Sequence, residues 1–542
     1  MARRVFLLGL DGGSWNVFDH LFAKGVMPRF QQLCQDGARA VLESTLPPIT
    51  PVAWTSLMTG VNPGRHGVFA FRKPKPDNSY LPMPVNRMDM QVPTVFDYYR
   101  DDPGFVSLNL PMSFPATPLA GRMVTGMMTP QGETDLAAHP ATLLEEFAAA
   151  GIDYVIDPKL EVDKSVDPAN LFDGWKQAPE EFLATLGRIT ENRMKAVDWV
   201  RAQRDWSVFI CVIVGTDRIQ HLFWDTLMSD DAGPIAKAVE AYYRQVDRHI
   251  GDLMDSLDPE DALLVMSDHG FVKTHGSFQT NEWLRRHGWI AKREAKRSPL
   301  YPVKVLLNRL GITRAKLGRV LSEKQSSHLQ LRASHIDWSK SQAYLSGPFA
   351  IRINLKGRET LGQVEPADFD DLVARIAAEL RDLRDETGTR LISDVSLGSD
   401  IYRGDGDGNH GDIVFTFRDD LNHTAYAAEL GGDIFDREIS KQGDHRVDGI
   451  LAAWGGGIQT CAEGLRLSID AVLPTVMHLN GRPIPGVCDG RVATEILSDD
   501  HPVETDPDWQ RFRSSGDEIS YTADQENEIN ERLKALGYLS DD

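Results

Sequence analysis

Three apolar runs in this chain end on an aspartate. Asp11 follows Val5 to Leu10, Asp217 follows Trp206 to Val214, and Asp268 follows Ala262 to Met266. Three histidines accompany them: His221 four residues after Asp217, His269 beside Asp268, and His445 in Gly443-Asp444-His445-Arg446. Each has an ordinary explanation alone, as a turn residue, a helix cap or a loop histidine. As a set they differ. A spacing of four puts Asp217 and His221 on one side of a helix. Carboxylates and imidazoles with no thiolate suit zinc or another borderline divalent ion. Three aspartates and three histidines are too many for one open site, so two metals fit better. Hydroxyls stand at Thr50, Thr55 and Ser56 in Ile49-Thr50-Pro51-Val52-Ala53-Trp54-Thr55-Ser56. Pro51 predicts a helix opening there, and a helix N-terminus can hold an anion.

The elements that must position these groups follow from the same runs. Val5–Leu10, the β-branched run to Val214 and Ala262–Met266 read as buried strands of a parallel sheet. Helical patterns are expected at Asn16 to Cys34, Pro179 to Arg201 and Gly233 to Leu257. Alternating strands and helices predict an α/β fold with helices on both faces, and such sheets bind ligands at the carboxyl ends of their strands. Phe71 to Met90, rich in Pro, Lys and Arg, reads as a surface loop. Residues 292–420 carry their own elements: Ala343 to Leu355, a helix from Pro366 to Leu383 and a strand at Asp412 to Phe417. They read as an inserted α+β subdomain that shapes a substrate pocket. The core then comprises residues 1–291 and 421–500, and 501–542 form a tail with a short helix near Gln525 to Leu536. The run Asp405-Gly406-Asp407-Gly408-Asn409 lacks the glycine and glutamate of a calcium loop, which argues against calcium there.

Composition bounds the function. The 542 residues suit two or three domains or one large core with insertions, and 42% apolar residues suffice for that core. Acids outnumber bases 79 to 58, a net charge of −21 that repels nucleic acid and anionic membranes. Phosphate chemistry on such a chain needs local cations. Cys34, Cys211, Cys461 and Cys488 form no CxxC pair, so neither a zinc ribbon nor a disulfide framework is expected. No run approaches the ~18 apolar residues of a membrane-spanning helix. The expected compartment is the cytoplasm.

The ordered motifs resemble the alkaline phosphatase superfamily, in its type I phosphodiesterase/nucleotide pyrophosphatase branch. The matching pieces are Gly9-Leu10-Asp11-Gly12, Thr50-Pro51, Thr59-Gly60, Asn62-Pro63-Gly64-Arg65-His66-Gly67, Asp217 with His221, Ser267-Asp268-His269-Gly270, and His445. Bacterial predicted phosphohydrolases or phosphomutases are also similar at Asn281-Glu282-Trp283-Leu284, Asn354-Leu355-Lys356-Gly357-Arg358-Glu359 and Leu533-Lys534-Ala535-Leu536-Gly537-Tyr538-Leu539. The resemblance implies an alkaline-phosphatase-like sandwich and two divalent ions, zinc first and manganese as the alternative. Asp217, His221 and His445 would hold one ion; Asp11, Asp268, His269 and the Thr50 oxygen would hold the other. Thr50 would be the nucleophile, passing through a phosphothreonine. The implied substrate is a small phosphorylated molecule, such as a nucleotide or another phosphodiester. A phosphomutase of the same superfamily and a non-catalytic binding protein on this fold are the alternatives. The pattern departs from many eukaryotic-type members in having no Asn between Thr50 and Gly60. Arg65, Lys273 and Arg218 are candidate replacement donors, and Trp54 is a candidate pocket wall.

Overall fold

The computed structural model describes residues 3–157, 178–203, 205–293, 335–404, 408–426, 430–437, 441–498, 501–512, 519–535 and 538. Asp405, Gly406 and Asp407, part of the loop weighed for calcium, lie outside them, as do Leu536, Gly537 and Leu539.

The apolar runs form the middle of a nine-stranded sheet. Its order is Arg466–Ser468, Ala38–Glu43, Asp448–Gly455, Ala262–Met266, Val5–Leu10, Val208–Ile213, Phe105–Leu110, Arg122–Thr125, Ala138–His139. Val5–Leu10 pairs parallel with both of its neighbours, Leu10 opposite Ile213 and Gly9 opposite Met266. The three aspartates that follow therefore emerge at one edge. Asp448–Gly455 runs antiparallel between Ala262–Met266 and Ala38–Glu43.

The central strands are buried along their whole length. Alternate side chains feed two cores: Leu7, Val212 and Leu264 pack on one face with Trp54 and Leu473, and Leu8, Cys211 and Val265 on the other with Phe18 and Tyr243. Continuous apolar runs follow from helices covering both faces. Pro179–Gln203 and Pro234–Ser256 are helical as the patterns predict. The segment expected as one helix from Asn16 to Cys34 is two, Trp15–Ala23 and Pro28–Asp36. Gly25, at φ +63°, and Pro28 break it, because a left-handed residue cannot continue a helix and a proline opens a new one.

The Phe71 to Met90 stretch is not a plain loop. Arg72–Lys75 and Asn78–Pro84 pair antiparallel as a hairpin. Its prolines hid it from the sequence, and Pro74 faces Pro82 across an edge pair where few ladder bonds are needed. A separate antiparallel sheet of four strands runs Ala343–Gly347, Ala350–Ile353, Ile413–Phe417, Ile392–Leu397, and the helix Phe369–Arg381 packs against it. Its core also draws on Phe278, Trp283 and Trp289 before residue 292 and on Ala425 and Leu430 after residue 420. Among the described residues no helix is long and apolar enough to cross a membrane.

One turn sets the edge where the aspartates gather. Gly12 has φ +70°, and a Cβ there would stand 2.5 Å from the Phe271 ring. Its N–H donates to Asp268 Oδ1 at 3.1 Å, and Ser267 Oγ donates to the Gly13 carbonyl at 2.7 Å. Gly12→Ala adds left-handed strain and a clash, and should destabilise the metal-free protein by about 2 kcal/mol or more. Thermal unfolding in chelator checks this, and an unshifted midpoint would contradict it.

Candidate metal centre

Asp11, Asp268 and His269 converge from two neighbouring strand ends. His269 Nε2 lies 3.2 Å from Asp268 Oδ2 and 3.8 Å from Asp11 Oδ1. The same nitrogen is 3.4 Å from Thr50 Oγ1. Thr50 is the first residue of the helix Thr50–Thr59, and Trp54, one turn on, brings its indole Nε1 within 3.4 Å of Asp11 Oδ2. The helix start has little left for an anion. Pro51 has no N–H, and those of Val52 and Ala53 donate to the Ile49 carbonyl.

Asp217 sits in the first turn of the helix Gly215–Leu227 and His221 one turn later, the i, i+4 pair that the spacing predicts. His445 comes from the other end of the sequence on the strand Gly443–Arg446. That strand pairs antiparallel with Gly270–Lys273, His445 opposite Phe271. Asp217 Oδ1 is 3.4 Å from both His221 Nε2 and His445 Nε2, and the two nitrogens are 3.0 Å apart. The His269 and His445 rings stack at 3.6 Å and join the two clusters.

The tautomers follow from the backbone. His221 Nδ1 faces the Gly443 carbonyl at 2.9 Å, His445 Nδ1 the Pro48 carbonyl at 3.0 Å, and His269 Nδ1 the Gly270 carbonyl at 3.3 Å. A carbonyl only accepts, so each Nδ1 carries the hydrogen and each neutral ring turns an Nε2 lone pair inward. Burial keeps the His221 and His269 rings neutral. It lowers the His221 pKa to about 4, helped by the Lys441 charge, and holds His269 well below the usual imidazole range, helped by His445. Burial pushes the Asp11 carboxyl well up, with Asp268 and Asp217 adding repulsion; burial does the same to Asp268, against the Gly12 N–H. Burial opposes ionisation of Asp217 too, which the Arg218 guanidinium at 2.9 Å offsets.

Asp11 Oδ1, Asp217 Oδ1 and Asp268 Oδ2 are buried and accept no hydrogen bond. Orphaned anionic oxygens among inward-facing nitrogen lone pairs are destabilising as they stand, since buried acceptors need a positive partner. Divalent cations fit that donor set. All six acidic and imidazole residues singled out in the sequence are therefore brought together beside Thr50.

Four neighbours complete the surroundings. Asp444, beside His445, is buried, with an Oδ2 that accepts no hydrogen bond, and groups with His221 and His445. Lys441 is buried 3.7 Å from Asp444. An acid directly before a histidine, as in Asp268-His269, was a legible signal for Asp444. Arg218 is buried and donates to Asp217 Oδ2 at 2.9 Å. Tyr538 donates to the same oxygen at 2.9 Å; the sequence offered it only within the Leu533 to Leu539 motif, with no role attached. Of the residues proposed for substrate contact, Trp54 is fully buried against Asp11, while Arg65 pairs with Asp489 and Lys273 with Asp225 at exposed positions. His66 is internal: its Nδ1 accepts the Val68 N–H and its Nε2 lies 3.0 Å from Ser56 Oγ, with burial lowering its pKa to about 3.

A model of the family described as type I phosphodiesterase / nucleotide pyrophosphatase matches residues 5–448. No curated protein matches the chain. Among solved structures, a phosphonoacetate hydrolase from Sinorhizobium meliloti 1021 in complex with phosphonoacetate is 12% identical, with a TM-score of 0.51 over 89% of this chain and 96% of its own. A mutant of alkaline phosphatase PafA is 14% identical, with a TM-score of 0.50 over 92% of this chain and 99% of its own. The fold is alkaline-phosphatase-like, a mostly parallel sheet between helices.

Removing His445 should weaken one cation site and spare the other. Titration of metal-free His445→Ala with zinc is expected to lose at least ~100-fold affinity in one class of sites, beyond the usual effect of an outer partner. Two undisturbed sites would contradict the geometry.

Proposed function

The chain belongs to the type I phosphodiesterase/nucleotide pyrophosphatase family, and from that premise we propose that it is a two-metal phosphoesterase acting through a phosphothreonine at Thr50. The observation that carries this reading is Thr50 Oγ1 lying 3.4 Å from His269 Nε2, at the edge of two clusters of orphaned donors. Asp11, Asp268 and His269, with the Thr50 oxygen, would hold one divalent ion, and Asp217, His221 and His445 the other. Two such ions would lower the hydroxyl pKa and neutralise phosphoryl oxygens. Zinc is the favoured metal, since carboxylate and imidazole donors without thiolate suit it, and manganese is the alternative.

Thr50 Oγ1 attacks phosphorus, its proton passing to solvent, and the Oγ1–P bond forms as the ester P–O bond opposite it breaks. Water then attacks the phosphothreonine, releases phosphate or a phosphomonoester, and restores the hydroxyl. The chain's own groups set the charge balance. Asp11, Asp217, Asp268 and Asp444 are buried acids, against which Arg218 and Lys441 are buried cations. Two dications held by these residues would turn that excess of acid into a positive site for a phosphate anion.

A cavity of about 440 Å³ reaches from His445 and Pro48 to Phe417 of the small sheet and to Phe349 in the turn before its strand Ala350–Ile353. It supports the reading that the 292–420 region shapes the pocket for the leaving group. The four cysteines are free thiols, which supports a reducing, cytoplasmic setting.

Thr50→Ala should lower kcat by about 10³-fold or more while zinc uptake stays close to wild type, because the hydroxyl is only one of four donors to its ion. Metal analysis joined to a panel of phosphate monoesters and diesters supplies the substrate class. Near-wild-type turnover in Thr50→Ala would overturn the nucleophile assignment.

A further inference from the structure

Tyr538 stands three residues beyond the helix Ala523–Ala535, yet its side chain reaches the buried end of Asp217. Three groups meet there. Arg218 Nη1 donates to Asp217 Oδ2 at 2.9 Å and to the Tyr538 oxygen at 2.8 Å. The Tyr538 hydroxyl passes its own hydrogen on to Asp217 Oδ2 at 2.9 Å. Oδ2 is thereby satisfied twice. Oδ1 accepts nothing and is the oxygen turned toward His221 and His445.

The phenol is firmly seated. Its ring lies 4.9 Å from the Phe71 ring and 5.9 Å from the His221 ring, and the Lys441 ammonium sits 5.2 Å from its centroid. The helix that leads to it is anchored to the same charge network. Ile529 and Leu533 are buried, and Arg532 donates to the Thr129 carbonyl at 2.9 Å. Asp157 lies 3.8 Å from both Arg532 and Arg218, so buried charges run from that helix to Asp217.

We propose that Tyr538, with Arg218, is a positioning residue of the metal centre: its hydroxyl holds Asp217 Oδ2 so that Oδ1 alone faces the cation shared with His221 and His445. Without the phenol O–H, the carboxylate is held by Arg218 alone and turns more freely about its last torsion. The site loses preorganisation, and affinity for that one ion falls while the Asp11–Asp268–His269 site is untouched. The inference rests on the two-metal reading.

The test is a zinc titration of metal-free wild type and Tyr538→Phe by calorimetry, with cobalt as a spectroscopic probe of each site. Phenylalanine keeps the ring packing against Phe71 and removes only the hydroxyl. The expected result is a loss of about 10–100-fold in affinity at one of two sites, the other unchanged, and an altered cobalt spectrum for the weakened site only. Arg218→Lys, which keeps the charge but loses the forked donor, should weaken the same site. Melting in chelator is expected to match wild type for Tyr538→Phe. If wild type takes up two ions and Tyr538→Phe binds both with wild-type affinity, the positioning role is wrong and the two-metal reading stands. If wild type binds no zinc and no cobalt, the two-metal reading itself falls.

Discussion

His221 and His445 turn two nitrogen lone pairs toward each other at 3.0 Å, and Asp217 adds an unpartnered carboxylate oxygen 3.4 Å from both. Backbone carbonyls have already claimed the imidazole protons, so the rings cannot relieve one another by hydrogen bonding. On the other side of His269, Asp11 and Asp268 repeat the pattern. Buried carboxylates without positive partners cost several kcal/mol each. No side chain among the described residues donates a hydrogen bond to these inner oxygens. The arrangement makes physical sense around small, strongly charged cations, and the rest of the molecule can be understood as holding it in place.

The sheet is the main support. Parallel pairing delivers Asp11, Asp217 and Asp268 to one edge without any long loop between strand and ligand. The turn after Asp11 is tied to its neighbours: Gly12 N–H to Asp268, Gly13 carbonyl to Ser267, Gly12 carbonyl to Gln220. His445 depends on a different device. The strand Gly443–Arg446 pairs with Gly270–Lys273 and the next strand enters the central sheet, so His445 is held by the element that begins beside His269. Gly443 suits its place, since a Cβ there would stand 2.5 Å from the Gln220 carbonyl.

Positive charge enters from outside the sheet. Arg218 follows Asp217 on the same helix, Lys441 precedes Asp444 on the approach to His445, and both are buried. They hold the outer faces of the carboxylates and leave the inner oxygens without a hydrogen-bond partner. With two dications bound, a chain of net charge −21 would present a local positive field to an arriving anion, while its net charge repels polyanions.

The family, the parallel α/β core and the six candidate metal-binding residues were legible in the sequence alone, because an apolar run that stops at an acid is a local feature and the order of motifs is a linear one. The i, i+4 pair of Asp217 and His221 was legible for the same reason. Other features needed the folded chain. The break at Gly25 and Pro28 and the proline-rich hairpin after Phe71 depend on backbone geometry and pairing across an edge. The role of Asp444 was half visible, as an acid next to a histidine, but its burial came only with the strand that carries it. Tyr538 was visible only as part of the Leu533 to Leu539 motif, with no role attached, because its partner Asp217 lies 321 residues earlier in the chain. Local sequence encodes which groups a strand end presents. Only tertiary packing decides which distant side chain closes over them, since a contact between remote segments leaves no periodicity in either one.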